Sequence, residues 1–538
     1  MLSESLYNFY RSSPMREGIL CWYPFEAGAN ILDCSDGVLT DMLKARNCFV
    51  SFQRKDSLFF DYIIILDPTD FDVSTLESFR KRLGEHGRLL LAYENPFALR
   101  YWAGHKAQNT GRPYDTLTRT GKDPLPSKAE LSSNLKIAGF KGQKWYYPLT
   151  DHWFAREIYS DNYLPNKFFN QRFVPYIDCD SSLTFDERAL YRSIISEGAF
   201  TFMCGAYLVE SRVCEADIPC TVDYASVTAY RGHSKCYATT VRNDNTVRKI
   251  PLYKDSEAGV RAIYQNHMEL KSLGVPVIDC EIENNCLVMP RISMPTLWDY
   301  WAEKFCEGAL NVKGMIKQFD RIKEYIYKSA KYGKCYWEMV PANCFYNYET
   351  DELLFFDQEF CWQDADPDIA VARMIMSIKF SEVFSKDPMF ESVFEDLREY
   401  FGLKKKWSEL VLAMRKTYDE VFNPEATTDL DLATQNSIET ISLFRLKCKL
   451  EYLRLSELKH IAIYGYGVRG KRLERAIKDL GLRVACVMDQ GFKDSRSISE
   501  IANASSADVI LVSIKNGISI ADDIRRRVEI PVLLLDEL

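Results

Sequence analysis

Three glycines and one acid near the C-terminus have the types and spacing that could hold a phosphate. In GYGVRG, Gly465, Gly467 and Gly470 follow the apolar run His460 to Tyr464 and open a helical pattern that reaches about Leu480. Glycines at such a turn admit a pyrophosphate to the helix N-terminus, and an acid ending the next strand meets a ribose. Asp489, after the strand-like Arg483 to Met488, supplies that acid. The chemistry is nucleotide binding, with a recognition or docking module as the competing reading. Only one half-sheet lies in this stretch, so hydride transfer is not expected. A second strand, turn and helix stands near the start, at Ala29 to Cys34, Ser35-Asp36-Gly37 and Val38 to Leu43, which is how a nucleotide-binding sheet begins.

Such turns need sheets behind them. Strand-like runs at Cys48 to Phe52, Tyr62 to Leu66 and Arg88 to Tyr93 alternate with helical stretches and predict an α/β domain over 1–165. From Thr201 to Leu252 the pattern turns to short runs rich in Val, Thr and Tyr, at Ala225 to Tyr230, Cys236 to Val241 and Thr246 to Ile250, which predicts an antiparallel sheet. Helical patterns follow at Ser256 to Leu273, Leu297 to Phe305 and Val312 to Tyr332, with strand-like pieces at Cys286 to Met289 and Leu353 to Asp357. Ile369 to Leu455 reads as mainly helical, with a break near Asn423-Pro424. Its stripe of Leu443, Leu446, Leu450 and Leu453 falls in a connector over 426–457 and reads as a helix packed on its own domain or bridging two. An α/β rhythm restarts at 458, with a helix near Ser497 and a strand at Val509 to Ser513.

The segment WEMVPANCFYNYETDELLFFDQEF, Trp337 to Phe360, resembles the catalytic segment of aminoglycoside and choline-type phosphotransferases, and the order of elements over 195–425 resembles a two-lobed kinase-like domain. Phosphoryl transfer needs a carboxylate to orient the attacking hydroxyl, and an amide plus a second carboxylate to hold magnesium. The resemblance gives these roles to Glu338, Asn343 and Asp357, with Glu338 standing where the pattern carries aspartate. It also implies Lys249, in TVRKIPL, as a phosphate-binding lysine, Glu269 on the next helix as its ion-pair partner, and ATP with magnesium as the cofactor.

Farther upstream, ILDCSDGVLTDML resembles the first motif of class I S-adenosylmethionine-dependent methyltransferases, with Asp33, Asp36 and Gly37 on matching positions. WYPF at Trp22 to Phe25, ENPFALRYWAG at Glu94 to Gly104 and WYYPLTDHWFAREIYSDNYLP at Trp145 to Pro165 look like the methyltransferase-like proteins found among bacterial surface-polysaccharide glycosyltransferases. The motif keeps only Gly37 of its glycines. The span between Leu43 and Tyr62 has room for one strand, and that strand closes on Ser51-Phe52-Gln53-Arg54, without a ribose-binding acid. A domain of this shape that does not bind S-adenosylmethionine is the alternative. Asp67, after the third strand, is a candidate to face a substrate or a turn former.

Composition narrows the classes. A chain of 538 residues, 47% hydrophobic and 27% charged, suits several globular domains. A net charge of -8 without a basic track argues against nucleic acid as a partner. No apolar run approaches the roughly 18 residues of a membrane span, and the polar N-terminus lacks a secretory pattern, so a cytoplasmic location is expected. The 16 cysteines are then expected to be reduced. With no CxxC pair and six isolated histidines, the usual zinc spacing is absent and a transition-metal site is not expected.

The expected fold is therefore multidomain α/β and α+β. It comprises a truncated class I methyltransferase-like Rossmann domain, a two-lobed kinase-like domain, a helical connector, and a small Rossmann-like domain over 458–538 that takes NAD or a nucleotide sugar. The function implied by the two resemblances is modification of a bacterial surface-glycan precursor by methyl or phosphoryl transfer. The expected partners are a glycan or nucleotide-sugar substrate and glycosyltransferases. The alternative is a noncatalytic scaffold or regulator of glycan-assembly enzymes.

Overall fold

The computed structural model describes residues 14–52, 59–149, 151–166, 187–380, 388–421, 460–479, 482–489, 507–514 and 517–535, with short gaps inside 106–123 and 229–232. The expected connector over 426–457, with its leucine stripe, and the helix near Ser497 lie outside these residues.

The protein is a mixed α/β structure built on one large sheet. Its strands are β1 (Asn30–Cys34), β2 (Phe49–Ser51), β3 (Phe60–Leu66), β4 (Leu83–Glu94), β5 (Gly142–Leu149), β6 (Glu157–Ser160), β7 (Ala206–Arg212), β8 (Val222–Val227), β9 (Tyr237–Arg242), β10 (Thr246–Pro251), β11 (Glu281–Glu283) and β12 (Cys286–Pro290). They lie in the order β11-β12-β10-β9-β8-β6-β5-β7-β4-β3-β1-β2. At one end β2, β1, β3 and β4 are parallel, and the apolar runs of β3 and β4 are buried on both faces, as central parallel strands require. Helices cover this end, among them Val73–Arg80, whose N-cap Asp72 accepts from Thr75 N at 2.6 Å. Another is Lys128–Ile137, which starts in a Ser127/Glu130 capping box. The strand β2 is the sheet edge, and it is the one strand that the described residues place between Leu43 and β3.

The strands expected to form an antiparallel sheet do so, β8 with β9 and β9 with β10, and they continue the sheet of the first strands. The strand β7 lies between β4 and β5, antiparallel to both, and all seven of its residues are buried. Then β8 pairs with β6 through Glu157↔Ser226 and Ile158↔Ala225, so the sheet runs on without a break. One apolar core accordingly contains Trp22 and Tyr146 together with Val222, Ala225 and Ala238. The strand expected at Ala225 to Tyr230 ends three residues earlier, at Val227, and starts at Val222. The strand expected at Arg88 to Tyr93 reaches back to Leu83, with a register irregularity opposite Phe60 and Tyr62.

Beyond β12 the chain is mainly helical: Leu297–Cys306, Val312–Ala330, Pro367–Met376, Pro388–Tyr400 and Trp407–Val421. Met315, Phe319, Ile322 and Ile326 recur at helical spacing and bury one face of Val312–Ala330 against Trp301, Tyr336 and Phe355. Two antiparallel ribbons sit among these helices. One pairs β13 (Lys334–Tyr336) with β16 (Cys361–Gln363), and the other pairs β14 (Cys344–Asn347) with β15 (Glu352–Phe355).

A second, four-stranded parallel sheet holds the C-terminal residues. Its strands are β17 (His460–Tyr464), β18 (Arg483–Met488), β19 (Val509–Val512) and β20 (Val532–Leu534), in the order β18-β17-β19-β20, with helices Val468–Asp479 and Ile518–Arg525. Among the described residues no helix is long and apolar enough to cross a membrane.

Candidate functional site

The ribbons beyond β12 bring four side chains to one place. Asn343 immediately precedes β14 and Asp357 closely follows β15. Pairing of Cys344 with Phe355 therefore holds both at the same open end, where Phe356 N donates to Asn343 O at 3.0 Å. Glu338 follows β13 and Glu359 precedes β16, joined by the bond from Trp337 N to Phe360 O at 3.1 Å. Gln358, fully buried, ties the pieces together: its Nε2 donates to Glu338 O at 3.0 Å and Phe356 O at 2.9 Å. Its carbonyl accepts from Asn266 Nδ2 at 2.9 Å, on helix Ser256–Ser272.

Lys249 reaches this cluster from β10. Its Nζ donates to the Asp357 carboxylate and lies 3.5 Å from Glu359 Oε2, which also accepts from Arg231 Nη1 at 2.8 Å. Burial disfavours the lysine's charge, but the carboxylates of Asp357 and Glu359 outweigh that cost and hold its pKa above the ordinary value. Lys235, in the loop between β8 and β9, is shifted the other way. Burial lowers its pKa, Glu359 raises it, and the neighbouring charges of Lys249 and Arg231 lower it further.

Glu338 Oε2 accepts from Asn343 Nδ2 at 2.9 Å, and Oε1 lies 4.0 Å from Arg373 Nη2 on helix Pro367–Met376. Burial pushes its carboxyl above the usual range. Arg373 works against this, and Glu359 and Asp357 add to it. A carboxylate with a raised pKa is a better proton acceptor near neutrality. Asp357 has a left-handed backbone, with φ of 53°, which turns the chain sharply after β15 and aims the carboxylate at Lys249.

The structure thus gathers Lys249, Glu338, Asn343 and Asp357. Glu269 goes elsewhere: it pairs with Lys334 Nζ at 3.0 Å and accepts from Tyr336 OH at 2.9 Å. Helix phase explains this. Val260, Ile263, His267 and Leu270 form the buried stripe of Ser256–Ser272, and a residue two places from His267 points to about the opposite face. The ion-pair partners of Lys249 are instead Asp357 and Glu359, and Glu359 is a site residue that the sequence reading missed. Its signal was the DQE triplet, with a second carboxylate two residues after Asp357. Glu359 Oε1 and Gln358 Oε1 are buried without a hydrogen-bond partner among the described residues. Carboxylate and amide oxygens are the donors a hard divalent cation takes, and Asn343 and Asp357 carry them at the open end of the β14–β15 ribbon.

In the first sheet, Asp33 lies in β1 and is buried. Its Oδ1 accepts from Ser35 N at 2.9 Å and from the Ser35 hydroxyl, and its Oδ2 accepts from Thr40 Oγ1 at 3.1 Å. The carboxylate therefore braces the loop that follows it. Asp36 and Gly37 are exposed at the loop tip with φ of 55° and 83°. Asp67, after β3, is hydrogen-bonded to Nε2 of buried His152.

At the C-terminal turn the three glycines have three separate jobs. Gly465 turns the chain with φ of 87°. A Cβ on Gly470 would lie 2.0 Å from Gly465 O, so the helix can approach the strand only with hydrogen there. A Cβ on Gly467 would meet nothing within 4 Å among the described residues. That division matches what a pyrophosphate turn needs of its glycines. Asp489 accepts from Tyr466 N, so its carboxylate holds the glycine turn itself. Comparison of the chain with protein-family models and with curated proteins finds no match.

Proposed function

We propose that the side-chain cluster around Lys249 and Asp357 is a magnesium-dependent phosphotransferase site, which moves a phosphoryl group from ATP to a hydroxyl of a bacterial surface-glycan precursor. The observation that carries this reading is the meeting of Asp357 and Glu359, from two ribbon ends, on a buried lysine of β10, with Glu338 bonded to Asn343 beside them. The lysine sits on the third strand of the run β8, β9, β10, the position that phosphoryl-transfer enzymes of the protein-kinase type use. The glycan as acceptor rests on the resemblance of the N-terminal segments to proteins found among polysaccharide glycosyltransferases.

In this reading Asn343 and Asp357 hold magnesium, and Lys249 neutralises phosphate oxygens. The magnesium nucleotide supplies the electrophilic phosphorus when bound. Glu338 orients the acceptor hydroxyl and takes its proton at Oε1, since Oε2 is engaged by Asn343. Arg373 stabilises the carboxylate before the proton arrives. Methyl transfer is not part of the proposal, because the Asp33 oxygens are engaged by Ser35 and Thr40 and β2 closes on Ser51. The C-terminal turn, where a Cβ on Gly467 meets nothing among the described residues, is read as binding NAD or a nucleotide sugar without redox chemistry.

The test is a thermal-shift measurement with ATP and magnesium, followed by an assay for ADP release in the presence of glycan acceptors. Stabilisation that Asp357→Ala abolishes is the expected result. A wild-type protein that neither shifts nor releases ADP overturns the phosphotransferase reading and leaves a noncatalytic scaffold in its place.

A further inference from the structure

Six strand positions across the sheet from β10, three side chains of different chemistry face one another at the foot of β4. His86 lies in the irregular first part of that strand, while Cys214 and Asp217 lie in the loop between β7 and β8. One ligand atom from each, the histidine nitrogen, the cysteine sulfur and a carboxylate oxygen, fall within 4.8 Å of one another. We propose that His86, Cys214 and Asp217 bind a zinc-class divalent metal ion, which fastens β4 to the loop after β7.

The backbone around these ligands is already held. Val213 N donates to Gly87 O at 3.2 Å, Arg212 Nη1 donates to Asp217 O, and Arg88 Nη2 donates to Ile218 O at 3.1 Å. These bonds bracket the loop on both sides, so the ligands need only side-chain rotation to close on an ion. The strand is bent where His86 sits. A Cβ on Gly87 would lie 2.7 Å from Leu83 Cβ, and only glycine fits that bend. His86 Nδ1 stands 2.7 Å from Asp217 Oδ1, while Asp217 Oδ2 is buried without a hydrogen-bond partner among the described residues. An unsatisfied buried carboxylate oxygen is costly and is relieved by a cation.

Donor type selects the metal. A thiolate beside an imidazole and a carboxylate suits zinc, whereas magnesium and calcium take shells of oxygen. Three protein ligands leave a fourth position, and His86, 73% exposed, leaves it on the solvent side for water. The spacing reading of the sequence could not see this site, because 131 positions separate His86 from Asp217.

The experiment uses the full chain, reduced and stripped with a chelator, titrated with cobalt(II) as a spectroscopic substitute and then with zinc. A thiolate-to-cobalt charge-transfer band that zinc displaces is expected, with a rise in melting temperature on zinc addition. Cys214→Ser should remove the band. His86→Ala, at an exposed position, should weaken zinc binding by at least the roughly tenfold that loss of even an outer-shell partner costs. Absence of the band in the wild type overturns the proposal. So does a band and affinity unchanged in both variants, which would assign the metal to other cysteines.

Discussion

Lys249 and Asp357 stand 108 positions apart in the chain, and the lysine's ammonium donates directly to the aspartate's carboxylate. The lysine side chain is 4% exposed and the aspartate's 35%, so one partner is sealed in the sheet while the other is partly open to solvent. Lys249 is at the same time 3.5 Å from Glu359, so the ammonium is shared between two carboxylates.

Replacing Lys249 by methionine removes the cation from between two carboxylates, one of them, Glu359, buried. Breaking a buried pair by deleting one partner costs about 3–5 kcal/mol. Lys249→Met should therefore lower the melting temperature clearly and abolish stabilisation by ATP and magnesium. A variant as stable as the wild type would show that Arg231 alone satisfies Glu359.

Glu338→Gln keeps the length of the side chain and an oxygen for Asn343 Nδ2, yet cannot take a proton. If Glu338 is the base, phosphotransferase turnover should fall by about 10²–10⁴-fold, with the melting temperature and the ATP shift retained. Turnover within a few-fold of the wild type would remove Glu338 from the chemistry.

His267 is fully buried, and its Nε2 accepts from Gln358 N at 3.3 Å while Nδ1 faces Cys280 Sγ at 3.5 Å. Burial lowers its pKa to about 4 from an ordinary 6.5, outweighing the opposing pull of Asp357. Between these values the unfolded chain binds a proton that the folded one refuses, so stability falls as the pH drops from 6.5 towards 4. The slope is up to about 1.4 kcal/mol per pH unit. His267→Gln should flatten that dependence in melting curves taken across the window.

Gly470→Ala places a methyl group where Gly465 O already stands. Forcing an extra methyl into a packed contact costs about 1–3 kcal/mol, so hydrogen exchange at β17 and β19 amides should quicken. Gly467→Ala meets nothing among the described residues and should leave exchange unchanged, while weakening any nucleotide that lies against the turn.

A chain ended at residue 165 contains β4 and β5 but lacks β7, which separates them. Its sheet would expose two unpaired strand edges in the interior. It should show no cooperative thermal transition. Cooperative melting of that fragment would mean that β4 and β5 can pair directly.

Much of this protein was legible in its residues, wherever a local signal sufficed. The turn after Tyr464 follows from glycine, since only Gly465 accepts that backbone and only Gly470 permits that approach. The meeting of Asn343 with Asp357 follows from a hairpin whose strands have the right length on each side of the turn. What tertiary structure alone decided concerns contacts between distant segments. Helix phase turned Glu269 away from Lys249, because burial of His267 fixed the opposite face. Burial on both faces drew β7 into the first sheet, and β6 then joined to β8 because each offered a free edge. The closeness of His86 to Cys214 and Asp217 was settled by that same insertion, since pairing β4 with β7 sets their ends side by side. A sequence records which residues need burial or a partner, but the partner is chosen by the packing of the whole sheet.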